Sequence, residues 1–410
     1  MLYKETHALH NVYLNAFLLI YLSSFSHSDC NEFFFSKTFY IAFIFRKFTY
    51  FSKLGILLLI IKKMKKKQRV SIKDISKELG ISITTISFII NKKAKNRISD
   101  EVIKKVEDYI EKVGYEPNTS AQTLRTGKTK TIVFMAEDIS DPFFSAVAKE
   151  MEEIAYKNGY KIIYCSTENN KDRAAELISL FQNRQVDAFI ITPPENFEKE
   201  IQELITQKNE VIMLFDRRYT STEHNYVILD NFNGAKMAVN KLISSGCKNI
   251  AYVGLKSDFS CMSERLEGYK DAIKDHQSQP ISLLLPFKDV KTKAGRIQFE
   301  KFINKHTAVD GILFATNGLA INGLKGLKEL HKNIPDELAV ITFDDRDLFE
   351  LHTPSISVLS QPVPAMATEL IKGTLELLRA KNDKNEIFQK ILPGNLITRD
   401  SCKLTIYDKK

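Results

Sequence analysis

The chain lacks tryptophan entirely and has only five cysteines among its 410 residues. The cysteines contain no C-x-x-C pair and lie far apart, at Cys30, Cys165, Cys247, Cys261 and Cys402. The eight histidines are dispersed as well. This spacing predicts neither a metal site nor a disulfide framework, and it is typical of a protein that works in a reducing compartment.

Motifs of the common enzyme classes are also missing from the sequence. It contains no G-x-S-x-G elbow, no phosphate-binding P-loop, no H-E-x-x-H pair and no carboxylates at catalytic spacing. We therefore expect no enzyme, with neither catalytic residues nor a cofactor.

The first 63 residues differ from the rest of the chain. They contain two apolar, aromatic-rich runs, Val12–Leu22 and Phe39–Ile61. The second run is long enough to span a bilayer, but three basic residues interrupt it, each costing ~3 kcal/mol near the membrane centre: Arg46, Lys47 and Lys53. No small-residue cleavage site follows the first run, as a signal peptide would require. Met64 is followed by three lysines and looks like a natural start. We therefore expect residues 1–63 to be upstream translation outside the working protein, with a membrane anchor as the alternative.

Positive charge is concentrated in one part of the sequence. Residues 64–128 carry 15 basic and 8 acidic side chains, whereas residues 129–410 carry 37 basic and 39 acidic ones. Neutralised phosphates supply most non-specific affinity for DNA, so the basic segment favours a nucleic-acid partner.

Residues 64–116 predict a small all-α domain. Ser71 and Asp74 have the spacing of a capping box, and Gly80 predicts the end of the first helix. Ser82 predicts the cap of a second helix, Ile83 to Ile90. One side of this helix is apolar, and two residues project from the other side, Thr84 and Phe88. Two short helices joined by a turn with a glycine predict a helix-turn-helix, whose second helix enters the major groove.

A third helix and a hinge follow. Ser99 predicts the cap of the third helix, and Gly114 its end. In residues 117–130, Asn118 can cap a helix that reaches about Thr126, which is too short to be stable alone in water. Its apolar residues can pair with those of a second chain, and Leu124 is a candidate wedge between base steps in the minor groove. Folding of this hinge on DNA would couple DNA binding to the state of the following domain.

Residues 131–410 alternate apolar strands with amphipathic helices. The strand patterns begin at Thr131 and recur as far as Phe343. Such alternation predicts parallel sheets with helices on both faces. Two such halves, with a cleft at the carboxyl ends of their strands, form a ligand site.

A series of short motifs runs through residues 68 to about 402. In the N-terminal part they are Val70-Ser71-Ile72-Lys73-Asp74-Ile75, Gly80-Ile81-Ser82, Thr85-Ile86-Ser87, Asn91, Gly114-Tyr115-Glu116-Pro117-Asn118, and Ala121 with Leu124-Arg125-Thr126-Gly127. In the body they include Asp138-Ile139-Ser140-Asp141-Pro142-Phe143-Phe144, Val186-Asp187-Ala188, Phe215-Asp216-Arg217, Asp230-Asn231, Phe343-Asp344-Asp345, Gln361-Pro362 and Leu396-Ile397-Thr398-Arg399-Asp400-Ser401. This series resembles the LacI/GalR (lac repressor-like) family.

The resemblance implies a helix-turn-helix headpiece before a two-lobed α/β effector domain of the periplasmic-binding-protein type. It implies a ligand-responsive transcriptional regulator, most often a repressor, that binds a near-palindromic operator as a homodimer. A tetramer is the alternative to the dimer. The expected mixture of aspartate, arginine, asparagine and aromatic residues in the pocket favours a sugar as the effector, with a purine as the second candidate. The expected domains are 64–116 for the headpiece, 117–130 for the hinge and linker, and 131–410 for effector binding and dimerisation.

Candidate site residues follow from these patterns and from the resemblance. For DNA they are Ser71, Ser82, Ile83, Thr84, Thr85, Ser87, Phe88, Asn91, Asn118, Ala121 and Leu124. For the effector they are polar residues at strand ends and an aromatic wall: Asp141, Phe143, Phe144, Thr192, Asp216, Arg265, Asn317, Asp344 and Gln361. The resemblance points to Arg265 and Asp344 as the anchors of ligand hydroxyl groups.

Three residues depart from the family pattern. Phe88 stands where many members have a base-reading arginine, and an aromatic edge can contact a thymine methyl but cannot bind guanine through two hydrogen bonds. Ile83 begins the second helix in place of a polar or aromatic reader. Gly318 follows Asn317 where an aspartate is usual. The operator sequence therefore cannot be transferred from relatives.

A cytoplasmic regulator is the interpretation that these features favour. A membrane-tethered or exported sugar-binding protein is the alternative, because the body fold and the apolar residues 1–63 would suit it. The headpiece argues against this alternative, since an exported binder has no use for a helix-turn-helix and a basic hinge. No membrane contact is expected if residues 1–63 are not native.

Leu124→Gly tests the proposed wedge. We expect specific operator binding to weaken by about tenfold or more, because the wedge acts only at the proper site, while non-specific binding changes little. Titrations of operator and of unrelated duplex check this, and equal weakening on both would contradict it.

Overall fold

The computed structural model describes residues 70–94, 97–115, 128–219, 223–380 and 387–402. The chain divides into two compact units, Met1–Asn118 and Thr119–Lys410. Residues 1–63 and the hinge helix predicted after Asn118 lie outside the described residues. None of the helices within the described ranges is long and apolar enough to cross a membrane.

The described residues of the first unit, 70–94 and 97–115, contain three helices: α1 (Ile72–Leu79), α2 (Ile83–Ile90) and α3 (Asp100–Val113). They pack around a core of five buried residues, Ile75, Ile86, Ile89, Ala94 and Val106. The predicted helix-turn-helix is therefore present.

Local hydrogen bonds explain where these helices begin and end. The Asp74 carboxylate accepts the Ser71 N–H at 2.9 Å while the Ser71 hydroxyl accepts the Asp74 N–H, as a capping box requires. Gly80 ends α1 with a φ of 67°, and Ser82 caps α2 through the Thr85 N–H. Ser99 precedes α3 as expected, but its side chain makes no capping hydrogen bond.

The N-terminal lobe of the second unit contains a six-stranded parallel sheet in the order β11-β5-β4-β3-β1-β2. Its strands are β1 (Thr131–Ala136), β2 (Lys161–Ser166), β3 (Ala188–Ile191), β4 (Ile212–Phe215), β5 (Tyr226–Leu229) and β11 (Gln389–Leu392). Its helices are α4 (Pro142–Lys157), α5 (Lys171–Asn183), α6 (Glu198–Thr206) and α12 (Val363–Arg379).

The C-terminal lobe repeats this plan in the order β12-β10-β9-β8-β6-β7, with only β12 antiparallel. Its strands are β6 (Ile250–Leu255), β7 (Ile281–Leu285), β8 (Gly311–Phe314), β9 (Ala339–Phe343), β10 (Ser357–Ser360) and β12 (Asn395–Ile397). Its helices are α7 (Asn231–Ser244), α8 (Ser260–Asp275), α9 (Lys293–Lys305), α10 (Asn317–Glu329) and α11 (Asp347–Leu351), with single 3₁₀ turns at Phe287–Asp289 and Asp400–Cys402.

The chain crosses between the lobes three times. It crosses from β5 to α7, returns from β10 to α12, which packs against α4 and the first sheet, and crosses again from β11 to β12. The lobes are therefore joined by short segments, and the parallel strands of both sheets point their carboxyl ends towards the space between them. The predicted two-lobed fold is confirmed.

Gly268 tests the packing of the C-terminal lobe, where α7 and α8 lie in close contact. A Cβ at this position would lie 2.1 Å from the Phe232 carbonyl oxygen, and a backbone atom cannot move away easily. We expect Gly268→Ala to destabilise the protein by about 1–3 kcal/mol despite its better helix propensity. Thermal unfolding measures this. Glu267→Ala, an exposed neighbour on the same helix, serves as the control, and equal melting temperatures for the two variants would contradict the packing argument.

Candidate functional site

A cavity of about 560 Å³ lies between the lobes, at the carboxyl ends of the strands. Four of its wall residues directly follow β1, β4, β9 and β10, namely Glu137, Asp216, Asp344 and Gln361. Eight of the nine predicted effector residues lie in this wall: Asp141, Phe143, Phe144, Asp216, Arg265, Asn317, Asp344 and Gln361.

Thr192 is the ninth predicted residue and lies outside the wall. It is fully buried after β3, where its N–H donates to the Met135 carbonyl at 2.9 Å. The structure thus gathers the other eight, while their part in ligand binding stays a prediction.

Asp216 and Asp344 hold equivalent places in the two lobes. Each follows a phenylalanine at the end of its strand, and each has a positive φ, 68° and 66° respectively. This left-handed backbone is costly for a residue with a side chain and is found preferentially at functional sites. Burial raises the pKa of both carboxyl groups, and the Arg265 guanidinium opposes the shift in both.

Arg265 supplies a fixed buried cation from α8. Its Nε donates to the Asn231 Oδ1 at 2.8 Å, one of its terminal nitrogens donates to the Ala315 carbonyl, and the guanidinium lies 4.1 Å from the Phe343 ring centre. These contacts come from three separate elements, so the side chain has little freedom to move. Asp344 is held too, because Gln361 donates to its Oδ1 at 2.7 Å.

Arg217 is a wall residue that the sequence analysis did not select. It is buried, forms ion pairs with Glu137 and Asp216, and its guanidinium lies 3.8 Å from the Phe259 ring centre. Burial lowers its pKa, but the two carboxylates outweigh this and the pKa is raised. Its position directly after Asp216, at the end of a strand, is the sequence feature that could have indicated Arg217 as a wall residue. Other unselected wall residues include Glu137, Phe259, Cys261 and Met262.

The aromatic and polar residues at the start of α4 complete the wall. The Phe143 and Phe144 ring centres lie 5.2 Å apart, and Phe143 stacks on Phe215 at 5.6 Å. Asp141 caps α4 through the Phe143 N–H, and its Oδ1 also lies 3.4 Å from the Asn317 Nδ2 of the other lobe. Asp141 therefore has a structural role besides its place in the cavity.

The predicted DNA-contacting face lies on and around α2. Ser71, Ser82, Ile83, Thr84 and Asn91 are exposed, whereas Thr85, Ser87 and Phe88 are half-buried. The hydroxyls of Ser71 and Ser82 are used as helix caps. Asn118, Ala121 and Leu124 lie outside the described residues.

Comparison with known proteins matches both units. Residues 71–118 match the family model of bacterial regulatory proteins of the lacI family, and residues 239–402 match the periplasmic binding protein-like domain. The regulator RegA of Clostridium saccharobutylicum is 28% identical over 332 residues, which is 81% of this chain and 98% of that protein. The ribose operon repressor of Halalkalibacterium halodurans is 26% identical over 81% of this chain and 97% of that protein.

Solved structures share the fold. The lac repressor dimer bound to operator has a TM-score of 0.72 at 18% identity, covering 82% of this chain and all of that one. A LacI family regulator from Enterococcus faecium with bound ribose has a TM-score of 0.58 at 26% identity, covering 66% of this chain and 98% of that one.

A helix-turn-helix joined to a two-lobed domain with a cavity between its lobes defines a ligand-responsive DNA-binding regulator. The chain combines a lacI-family DNA-binding region with a periplasmic-binding-protein-like domain, and its relatives are LacI/GalR-family transcriptional regulators, as its motifs predicted. This family consists of regulators and not of enzymes. The exported or membrane-tethered alternative is not favoured.

Asp344→Asn tests the cost of the buried carboxylate. Because the folded-state pKa of Asp344 is raised, the folded protein loses stability as the pH rises from about 4 through that pKa. The amide keeps the shape and cannot ionise, so we expect a higher melting temperature than wild type at neutral pH in the ligand-free protein. The difference should shrink on acidification.

Asp345→Asn is the matched control for this prediction. Its carboxylate pairs with Arg399 through two contacts of 2.8 and 2.9 Å, so the same substitution one residue on should lower the melting temperature. A destabilised Asp344→Asn variant at neutral pH would contradict the argument.

Proposed function

We propose that the protein is a cytoplasmic repressor whose affinity for a near-palindromic operator responds to a neutral sugar bound between its lobes. The observation that carries this proposal is a helix-turn-helix on the same chain as a cavity lined by carboxylates, two buried arginines and phenylalanine rings. In this proposal residues 64–116 read DNA as one half of a homodimer, 117–130 form the hinge, and 131–410 bind the effector and dimerise.

The wall chemistry supports a ligand rich in hydroxyl groups. Asp344 accepts and Arg265 donates hydrogen bonds from buried positions, and Asp216 accepts them from a half-buried one. The Oε1 of Gln361 is a buried acceptor without a partner among the described residues, which a ligand hydroxyl would satisfy. Phe143 offers an apolar face to a sugar ring. The solved structure of one similar protein contains bound ribose, and that of another contains D-xylulofuranose. Both support a sugar as the ligand.

The charge of the wall argues against phosphorylated sugars. Six carboxylates and four basic side chains line the cavity. Arg217 is already paired with two carboxylates and Lys291 lies 3.5 Å from Asp138. A phosphate ester carries roughly 1.5 to 2 negative charges at pH 7 and would add to the acidic excess. A purine is the second candidate, since a relative at 23% identity is the repressor PurR of Edwardsiella ictaluri.

Contacts across the cleft explain how a ligand would act on the whole domain. Asn317 reaches Asp141, and Arg218, which follows β4, pairs with Glu264 of α8 at 3.1 Å. A ligand that bridges the lobes adds to these contacts and stabilises the closed arrangement.

A carboxylate helps to fix the chain segment that follows the hinge to the N-terminal lobe. Asp187, just before β3, accepts the N–H groups of Thr129 and Lys130 at 2.8 and 3.0 Å. It therefore ties the chain segment that follows the hinge to the N-terminal lobe. Lobe movement would change the spacing of the two hinges in a dimer, with either an inducer or a co-repressor outcome.

Ligand screening of the full chain tests this function. We expect D-ribose, D-xylulose or sucrose at about 100 times its dissociation constant to stabilise the protein by ~2.7 kcal/mol in a thermal-shift assay, and to change operator affinity in a gel shift with the DNA upstream of its own gene. Adenine and guanine test the purine alternative.

Asp344→Ala should abolish this thermal shift, because the residue lies in the cavity wall. It should leave operator affinity within about twofold, because the residue lies far from the headpiece in sequence. Asp345→Ala, outside the cavity wall, should keep the ligand-induced shift. Retention of the shift in Asp344→Ala would place the effector elsewhere, and failure of the wild type to bind DNA would refute the regulator.

A further inference from the structure

The helix that should enter the major groove carries no charge. Between Ile83 and Ile90 the residues are Ile, Thr, Ser and Phe only. Most of the affinity of such domains comes from cations that neutralise phosphates. The cations near this helix must therefore come from neighbouring segments, of which the turn between α2 and α3 is the closest in sequence.

Arg97 lies in that turn and is held against α2. Its guanidinium carbon lies 5.9 Å from the centre of the Phe88 ring, within the range of a cation–π contact. Its backbone is fixed as well, because its N–H donates to the carbonyl of the buried Ala94 at 3.0 Å. Arg97 is exposed, and none of its neighbours within the described residues forms an ion pair with it.

Phe88 is free to serve as a support for this cation. It is half-buried, yet it does not belong to the core that Ile86 and Ile89 form with the other helices. The position that often carries a base-reading arginine in this family thus carries a ring with an arginine beside it.

We propose that Arg97 binds a DNA phosphate and that Phe88 is a positioning residue that holds its guanidinium beside the recognition helix. This rests on the proposed DNA-binding function. It differs from the expectation that Phe88 itself reads a base, because a positioning role strengthens binding to all sequences alike. The ring limits the rotamers of Arg97, so less entropy is lost when the phosphate binds.

A double-mutant cycle on the full chain tests this proposal, with random-sequence duplex DNA as the probe and roughly 50 to 200 mM salt. R97A should lower the slope of log affinity against log salt by about 0.9, the value for one phosphate contact, whereas R97K should retain the slope. F88L should weaken binding by about two- to fivefold in the wild-type background and have no effect in the R97A background. F88Y, which keeps a ring, should bind like wild type.

Each outcome decides a different point. An unchanged salt slope in R97A, or equal effects of F88L in both backgrounds, would overturn the proposal while leaving the regulator intact. A wild-type chain that binds no duplex at all would overturn the proposed function as well. K105A removes an exposed charge from α3 and controls for net charge, and circular dichroism of F88L verifies that the headpiece is folded.

Discussion

The effector domain depends on one buried electrostatic arrangement, in which Arg265 lies among carboxylates from both lobes. Asp216 comes from the N-terminal lobe, and Asp344 comes from the same lobe as Arg265. Burial disfavours the charged form of both carboxyl groups. Arg265, together with Arg217 beside Asp216, offsets this only in part. The strained backbone at both aspartates adds to the cost. In the proposed function, ligand donors placed between them would relieve that cost.

This arrangement also explains why a small molecule can affect a two-lobed domain. The lobes are connected by three short crossings, and polar contacts such as those of Asp141 with Asn317 and of Arg218 with Glu264 bridge the cleft. A ligand that contacts carboxylates of both lobes would add to these contacts. Asp187 accepts hydrogen bonds from the N–H groups of Thr129 and Lys130, and these bonds fix the start of the domain to the N-terminal lobe.

Much of this was predictable because the signals are local. The caps at Ser71 and Ser82 and the end at Gly80 depend on residues within four positions of one another, and the structure shows each. Strand-end carboxylates such as Asp216 and Asp344 could also be predicted from the sequence, because parallel strands bring their carboxyl ends to one edge of the sheet. Thr192 satisfies the same pattern, yet the end of β3 turns it into the interior.

Side-chain partners were not predictable in the same way. Arg217 follows a predicted site residue, but only the fold shows that Glu137 and Phe259, distant in sequence, surround it. The contact between Phe88 and Arg97 could not be predicted either, because it depends on the path of the turn between two helices. Such pairs are set by tertiary packing, which a single sequence does not encode in any local spacing.

Hydrogen exchange of residues 117–130 in the operator-bound dimer tests the central claim most directly. If the cavity controls the hinge, addition of the effector changes amide protection across this segment, and Asp344→Ala removes the change while leaving operator-dependent protection in place. Protection that responds to operator but stays the same with and without saturating effector would contradict the account.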